Sequence, residues 1–246
     1  MIDMSEGRVT RRELLQASAA VGAGLVMTGC ASGGEPAEQP PTCHRGGDHH
    51  QGGQHDLRRW AEVLDDPARD AWQQPNVVVA GLAIAEGMVV ADVGAGTGYF
   101  EPHLSRAVGA RGRVLALDVD PDLVAHMQRR FQAAGLHNVE ARLVSPVDPG
   151  LEVGAVDRVL VVDTWHHMSD RVAYAARLRR ALRPTGRLVI VDYPADAPEG
   201  PPQELRLGAE AVLAELKAAG FTARIEPDAL PRQYLIVAEV TVGGGR

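Results

Sequence analysis

Cysteine is nearly absent: the 246 residues hold two, Cys30 and Cys43. They allow one disulfide at most, and they carry no evidence about redox compartment. Aromatic residues are also scarce, at 4%. Positive charge is not in excess either, because the formal net charge is −7. An acidic chain lacks the electrostatic footprint that a phosphate backbone requires, which argues against nucleic acid as a partner. No apolar run approaches the roughly 20 residues that cross a bilayer. No internal repeat is found.

What is present is a chain of unlike parts. Residues 10–30, "TRRELLQASAAVGAGLVMTGC", begin with Arg11-Arg12, pass through a short and mildly apolar stretch, and end in small residues before Cys30. A charged start, a short apolar middle and a small-residue exit mark an export signal. The arginine pair resembles the twin-arginine type. The end resembles a lipoprotein box, which implies that Cys30 is acylated and becomes the first residue of the mature chain. Met27 stands where that pattern usually has Leu. Residues 30–56 are rich in Gly, Pro, Gln and His and nearly free of large apolar side chains, so they cannot offset their own ordering entropy. They are expected to form a tether. Its Cys43, His44, His49, His50 and His55 invite a metal-binding reading, but their spacing matches no closed zinc site.

The expected organisation is a signal at 1–29, a tether at 30–56 and one domain at 57–242. Hydrophobic residues make up 45% of the chain, enough for a core. Residues 88–93, 113–119, 138–144, 156–163 and 186–193 are β-branched runs with little alternation, as in strands buried on both faces. Residues 121–135 place Leu123, Met127, Phe131 and Ala134 on one helical face. A helix over 169–186 is predicted with Ser169 as its cap, and another over 201–220. Alternating β and α implies a parallel, doubly wound sheet. The last two strands, 221–226 and 233–242, are joined by a short link and must be antiparallel.

The densest chemistry lies in "ADVGAGTGYF", residues 91–100. Gly94, Gly96 and Gly98 permit tight turning and close approach of a ligand after a strand, with a helix expected from Tyr99. Asp118, 22 residues after Gly96, ends the next strand, where a carboxylate can accept ribose hydroxyls. A dinucleotide loop would need Gly where Tyr99 stands, and a triphosphate loop would need Lys. A nucleoside ligand without phosphate fits better.

With "VVADVGAGTGYF", "RVLALDVDPDLV", "VDRVLVVDTWHHM", "LRPTGRLVIVDY" and the terminal "AAGF…QYLIVAEV", the domain resembles class I S-adenosylmethionine-dependent methyltransferases. The resemblance implies the sheet order 3-2-1-4-5-7-6 with strand 7 reversed, and S-adenosyl-L-methionine as cofactor. It implies that Gly94, Ala95 and Gly96, with Thr97, Gly98 and Tyr99 completing the loop, lie against the methionine and ribose portions. Asp92 would reach the amino group, Asp118 the ribose, and Val119 the adenine. Where relatives place an Asp for the adenine amino group, this chain has Ser145-Pro146, so either Ser145 or Asp148 substitutes. Asp163 would face the methyl end.

His166 and His167 follow the fourth strand, where acceptors sit in this fold. An imidazole there is a candidate general base, or else a packing residue. Asp66, Arg69, Asp70, Trp72 and Gln73 precede the first strand and read as a lid, with Arg69 or Gln73 near the methionine carboxylate, or as a helix tied by local pairs. The Asn/Asp-Pro-Pro-Tyr/Phe tetrad of exocyclic-amine methyltransferases is replaced by "DTWH". The expected acceptor is a small molecule or lipid-like metabolite. The competing readings are a non-catalytic ligand-binding lipoprotein and, within enzymes, an NAD-dependent oxidoreductase. The expected location is the cell envelope, through lipidated Cys30; a start at Met27 would instead leave the protein in the cytoplasm.

Overall fold

The structure is a computed structural model and describes residues 64–240. The signal, the tether, Cys30 and the His-rich tract therefore lie outside the described residues. In chain order the elements are α1 (Arg69–Gln73), α2 (Pro75–Leu82), β1 (Val89–Val93), α3 (Glu101–Val108), β2 (Arg113–Asp118), α4 (Pro121–Ala133) and β3 (Val139–Leu143). Then come β4 (Val156–Val162), α5 (Arg171–Ala181), β5 (Leu182–Asp192), α6 (Ala209–Ala218), β6 (Phe221–Glu226) and β7 (Tyr234–Val240).

The seven strands form one sheet in the order β3-β2-β1-β4-β5-β7-β6. All neighbours are parallel except β7, which runs against both β5 and β6. This is the architecture expected from the sequence. The continuous apolar character of the strands has a simple cause, because each face of the sheet is covered. On one face Val90, Val114, Leu160, Val189 and Val237 pack with Val78 and Leu82 of α2 and with Leu104 and Val108 of α3. On the other, Ala91, Val159, Ile190 and Ile236 pack with Tyr174 and Leu178 of α5 and with Val212 and Leu216 of α6. Strand order reverses between β1 and β4, and ligands of open α/β sheets bind in the crevice at the carboxyl ends of such a pair.

Several local expectations are corrected. The helix after the glycine loop starts at Glu101, not Tyr99, with Pro102 in its first turn, where the missing N–H costs nothing. The buried stripe of α4 is Val124, Met127 and Phe131; Leu123 lies at the rim and Ala134 is exposed. The cap of α5 is Asp170 rather than Ser169, because the carboxylate at 170 reaches the Ala173 N–H at 3.0 Å. The predicted helix over 201–220 is a single turn at Gln203–Leu205 followed by α6, since "PP" at 201–202 and Gly208 interrupt it. β5 begins four residues before the expected 186, at Leu182, which pairs with Val156 across a register shift.

Leu160 is fully buried at the centre of the sheet. Replacing it with Ala is expected to lower unfolding free energy by about 3 kcal/mol, within the ~2–5 range for such truncations, as measured by chemical denaturation.

Candidate functional site

The glycine loop turns directly off β1. Gly94, Gly96 and Gly98 all have φ between 61° and 85°, the left-handed region that a Cβ disfavours. At Gly94 there is also no room, because a Cβ would lie 2.3 Å from Thr164 Oγ1 in the loop after β4. At Gly98 it would lie 2.7 Å from the Phe131 ring. At Gly96 only the Leu64 methyl, at 3.6 Å, is near, so conformation alone calls for glycine there. The Gly94 and Ala95 N–H groups donate to Leu117 O at 2.8 and 3.0 Å, which ties the loop to β2.

Asp118 ends β2 facing this loop. One carboxylate oxygen accepts the Gly96 N–H at 2.8 Å and the other the Asp120 N–H at 3.0 Å. Burial raises its carboxyl above the ordinary range, and these amide bonds oppose the rise. Val119 beside it is 49% exposed, open to a flat apolar partner. Ser145 and Pro146 are exposed beyond β3, and Ser145 Oγ accepts the Val147 N–H at 3.3 Å. Asp148 spends one oxygen on the Gly150 N–H at 2.8 Å, within its own turn.

Beneath the loop lies a feature that sequence reading missed. Asp92, at 2% exposure, faces Glu101, at 0%. Burial pushes the Asp92 carboxyl up to about 7; contact with Glu101 opposes this, Asp118 adds to it and Arg69 opposes it. Burial and the Asp92 charge hold Glu101 well above its ordinary value. An acid in the first turn of a helix reads as a complement to the dipole, so no signal in the sequence marks Glu101 as buried.

The segment read as a lid packs against the loop through Arg69 and Asp70. The Arg69 guanidinium stacks 4.1 Å above the Tyr99 ring and donates to Leu64 O at 2.9 Å and to Gln73 Oε1 at 3.0 and 3.2 Å. Tyr99 OH donates to Asp70. Thr97 Oγ1 donates to Asp65 at 2.8 Å, and Arg130 pairs with Asp65 at 2.6 Å. The Trp72 ring lies 5.2 Å from the Arg232 guanidinium, 5.9 Å from that of Arg69 and 6.3 Å from the Tyr193 ring.

From Gln73 a directed chain continues. Gln73 Nε2 donates to Gln233 Oε1 at 2.6 Å, and Gln233 Nε2 donates to Asp163 Oδ1 at 2.5 Å. Asp163 stands at φ 51° just past β4. Burial pushes its carboxyl up to about 7, with Asp192 adding to the rise and Arg69 and His166 opposing it. Gln233 and Asp192 were also missed: both lie inside segments that carry the resemblance, but nothing in those segments marks either side chain as part of the site.

The two histidines separate. The His166 side chain is fully buried, and its Nδ1 lies 2.9 and 3.0 Å from the two oxygens of Asp192. His167 is exposed, with its ring centroid 4.2 Å from that of His166. The structure thus brings together Arg69, Gln73, Asp92, the glycine loop, Asp118 and Asp163. Ser145 follows Val144, whose N–H donates to Asp118 O at 2.9 Å, and so lies next to the end of β2.

These residues fit S-adenosylmethionine. The cradle at Gly94 has no space for a Cβ, and the carboxyls of Asp92 and Asp118 and the Arg69 guanidinium flank the same loop, the donor and acceptor types that an amino acid joined to a nucleoside calls for. The comparisons agree. A methyltransferase-domain family model matches residues 90–186. The tRNA U34 carboxymethyltransferase of Cellvibrio japonicus is 32% identical over 139 residues, covering 56% of this chain and 42% of that protein. The nocamycin O-methyltransferase of Saccharothrix syringae is 31% identical over 152 residues, covering 62% and 51%. The chain thus spans about half the length of these curated relatives. A solved S-adenosylmethionine-dependent methyltransferase from Aquifex aeolicus superposes with a TM-score of 0.70 at 28% identity, covering 76% of this chain and 98% of that one. From the reversed seventh strand to the glycine cradle, this chain carries a class I S-adenosylmethionine-dependent methyltransferase domain.

Proposed function

We propose that the protein transfers a methyl group from S-adenosylmethionine to a small-molecule or lipid-like acceptor, and that lipidated Cys30 holds it at the cell envelope. The observation that carries the reading is the convergence of Asp92, Asp118 and Arg69 on one glycine loop. The cofactor supplies a methyl group already activated on a sulfonium, so the chain has to bind, orient and exclude water. Asp118 offers acceptors for ribose hydroxyls, and α1 with Leu64 and Arg69 shields the loop from solvent. His167, exposed beside the end of β4, is the side chain placed to take a proton from an acceptor. His166, pinned by Asp192, holds the turn that presents it.

By their names, the relatives above act on tRNA U34 and on nocamycin. A net charge of −7 favours a small-molecule acceptor over RNA. A groove of about 550 Å³ beside α1, lined by Asp66, Arg69, Trp72, Pro231 and Arg232, is the approach we assign to an acceptor with both charged and apolar parts. The arginine pair, apolar stretch and Cys30 together support export and anchoring.

Calorimetric titration of the full chain is expected to give micromolar binding of S-adenosylhomocysteine and none of NAD. Asp118→Ala and Arg69→Ala should each weaken that binding about tenfold or more, the loss of one charge-assisted hydrogen bond or contact. Binding of NAD alone would replace this reading with an oxidoreductase. Formation of S-adenosylhomocysteine from S-adenosylmethionine on adding a metabolite and lipid extract separates an enzyme from a binding protein.

His166→Ala should cost about 3–5 kcal/mol in chemical denaturation, because it strands a buried Asp192. His167→Ala should leave stability nearly unchanged, as befits a surface position. Equal losses would refute the division of roles between the two histidines. Metabolic labelling with a fatty acid should mark the wild type in the membrane fraction and not Cys30→Ser; an unlabelled, soluble wild type would exclude the anchor.

A further inference from the structure

The Asp92–Glu101 pair has a function that the glycine loop does not explain. Glu101 has no exposure, and neither of its carboxyl oxygens meets a donor side chain or the N–H of another residue. The surface it faces is Asp92, itself 2% exposed. Among the described residues, three charged groups act on the pair, and none supplies a donor to it. Asp118 of β2 adds a further negative charge on the Asp92 side. Arg69 of α1 gives its guanidinium to Leu64 O and Gln73. Arg130 of α4 gives its own to Asp65 and Thr97 O. Neither arginine forms an ion pair with the two facing acids. Two facing carboxylates without a donor between them cannot both stay ionised in such a site. A proton must lie between them.

Resting on the cofactor reading above, we propose that Glu101 is a positioning residue: it stays protonated and donates its carboxyl proton to Asp92, holding that carboxylate for the ammonium group of the ligand's amino-acid portion. Glu101 then works as a neutral donor and not as a second anion. The arrangement leaves a net charge of −1 on the pair, which matches one ammonium. It also fixes the Asp92 rotamer. When Asp92 is itself protonated, ammonium binding expels that proton to the buffer.

The test compares two probes on the full chain. S-adenosylhomocysteine carries the ammonium; 5′-methylthioadenosine keeps the nucleoside and lacks it. Glu101→Gln supplies an obligate neutral donor, and Glu101→Met fills similar space with none. Glu101→Gln is expected to keep S-adenosylhomocysteine affinity within about threefold, while Glu101→Met weakens it about tenfold or more, the scale of a hydrogen bond to a charged group. Methylthioadenosine affinity should stay nearly level in both, which also reports that each variant is folded. At pH 6, calorimetry in buffers of different ionisation enthalpy should count about one proton released with S-adenosylhomocysteine and none with methylthioadenosine, since Asp92 titrates near neutrality.

Equal damage from Gln and Met would show that Glu101 acts as an anion and overturn the proposal. So would no damage from Met, or a loss shared equally by both probes. Infrared spectra of the unliganded protein give an independent check, because above about pH 8, where Asp92 and Asp163 have ionised, the wild type should still show a protonated-carboxyl band that Glu101→Gln removes. Failure of S-adenosylhomocysteine to bind the wild type would overturn the cofactor reading and the ligand half of this one, while the infrared band still decides the proton.

Discussion

The backbone at Gly94 passes so close to Thr164 that no side chain fits between them. That approach is the constraint on which the site depends. β1 and β4 are neighbours and parallel, so the loops leaving their carboxyl ends must share one small space. Only a glycine at the first position lets the two loops close on each other. Once they do, Asp92 before the first loop and Asp163 before the second are held under a common roof, and both carboxyls are driven up by the loss of water.

The site handles this crowding of acids by distributing donors rather than cations. Backbone amides serve Asp118, an amide side chain serves Asp163, and an imidazole serves Asp192. Arg69 lies among them with its own bonds on neutral acceptors. A buried ion pair would satisfy each acid more strongly but would leave less for a charged ligand to gain. Local neutral bonding keeps the carboxylates in place while an arriving cation can still interact with them.

Much of the fold was legible because its causes are local. Unbroken β-branched runs report burial on both faces, and a short link between two strands requires that they be antiparallel. The glycine loop was legible for a similar reason, since three positions need a backbone that other residues resist. Ser169 and Asp170 show the limit, being adjacent residues of equal capping ability between which only the reach to Ala173 decides. Glu101 and Gln233 were illegible for a different reason. Glu101 meets Asp92 because a loop folds back, and Gln233 meets residues 70 and 160 positions away. Contacts made by the closing of the whole sheet leave no periodic trace.

The reversal of β7 has a topological result. In a parallel sheet only the ends of strands reach the ligand crevice, and their beginnings lie at the far edge of the molecule. Because β7 runs the other way, its beginning arrives at the crevice, and with it the turn 227–233 that carries Gln233. The chain therefore adds a wall to its site from a segment that does not follow a parallel strand. That wall can change in length or composition without disturbing any βα crossover. Variation among such proteins in what they accept should accumulate there before it reaches the glycine loop.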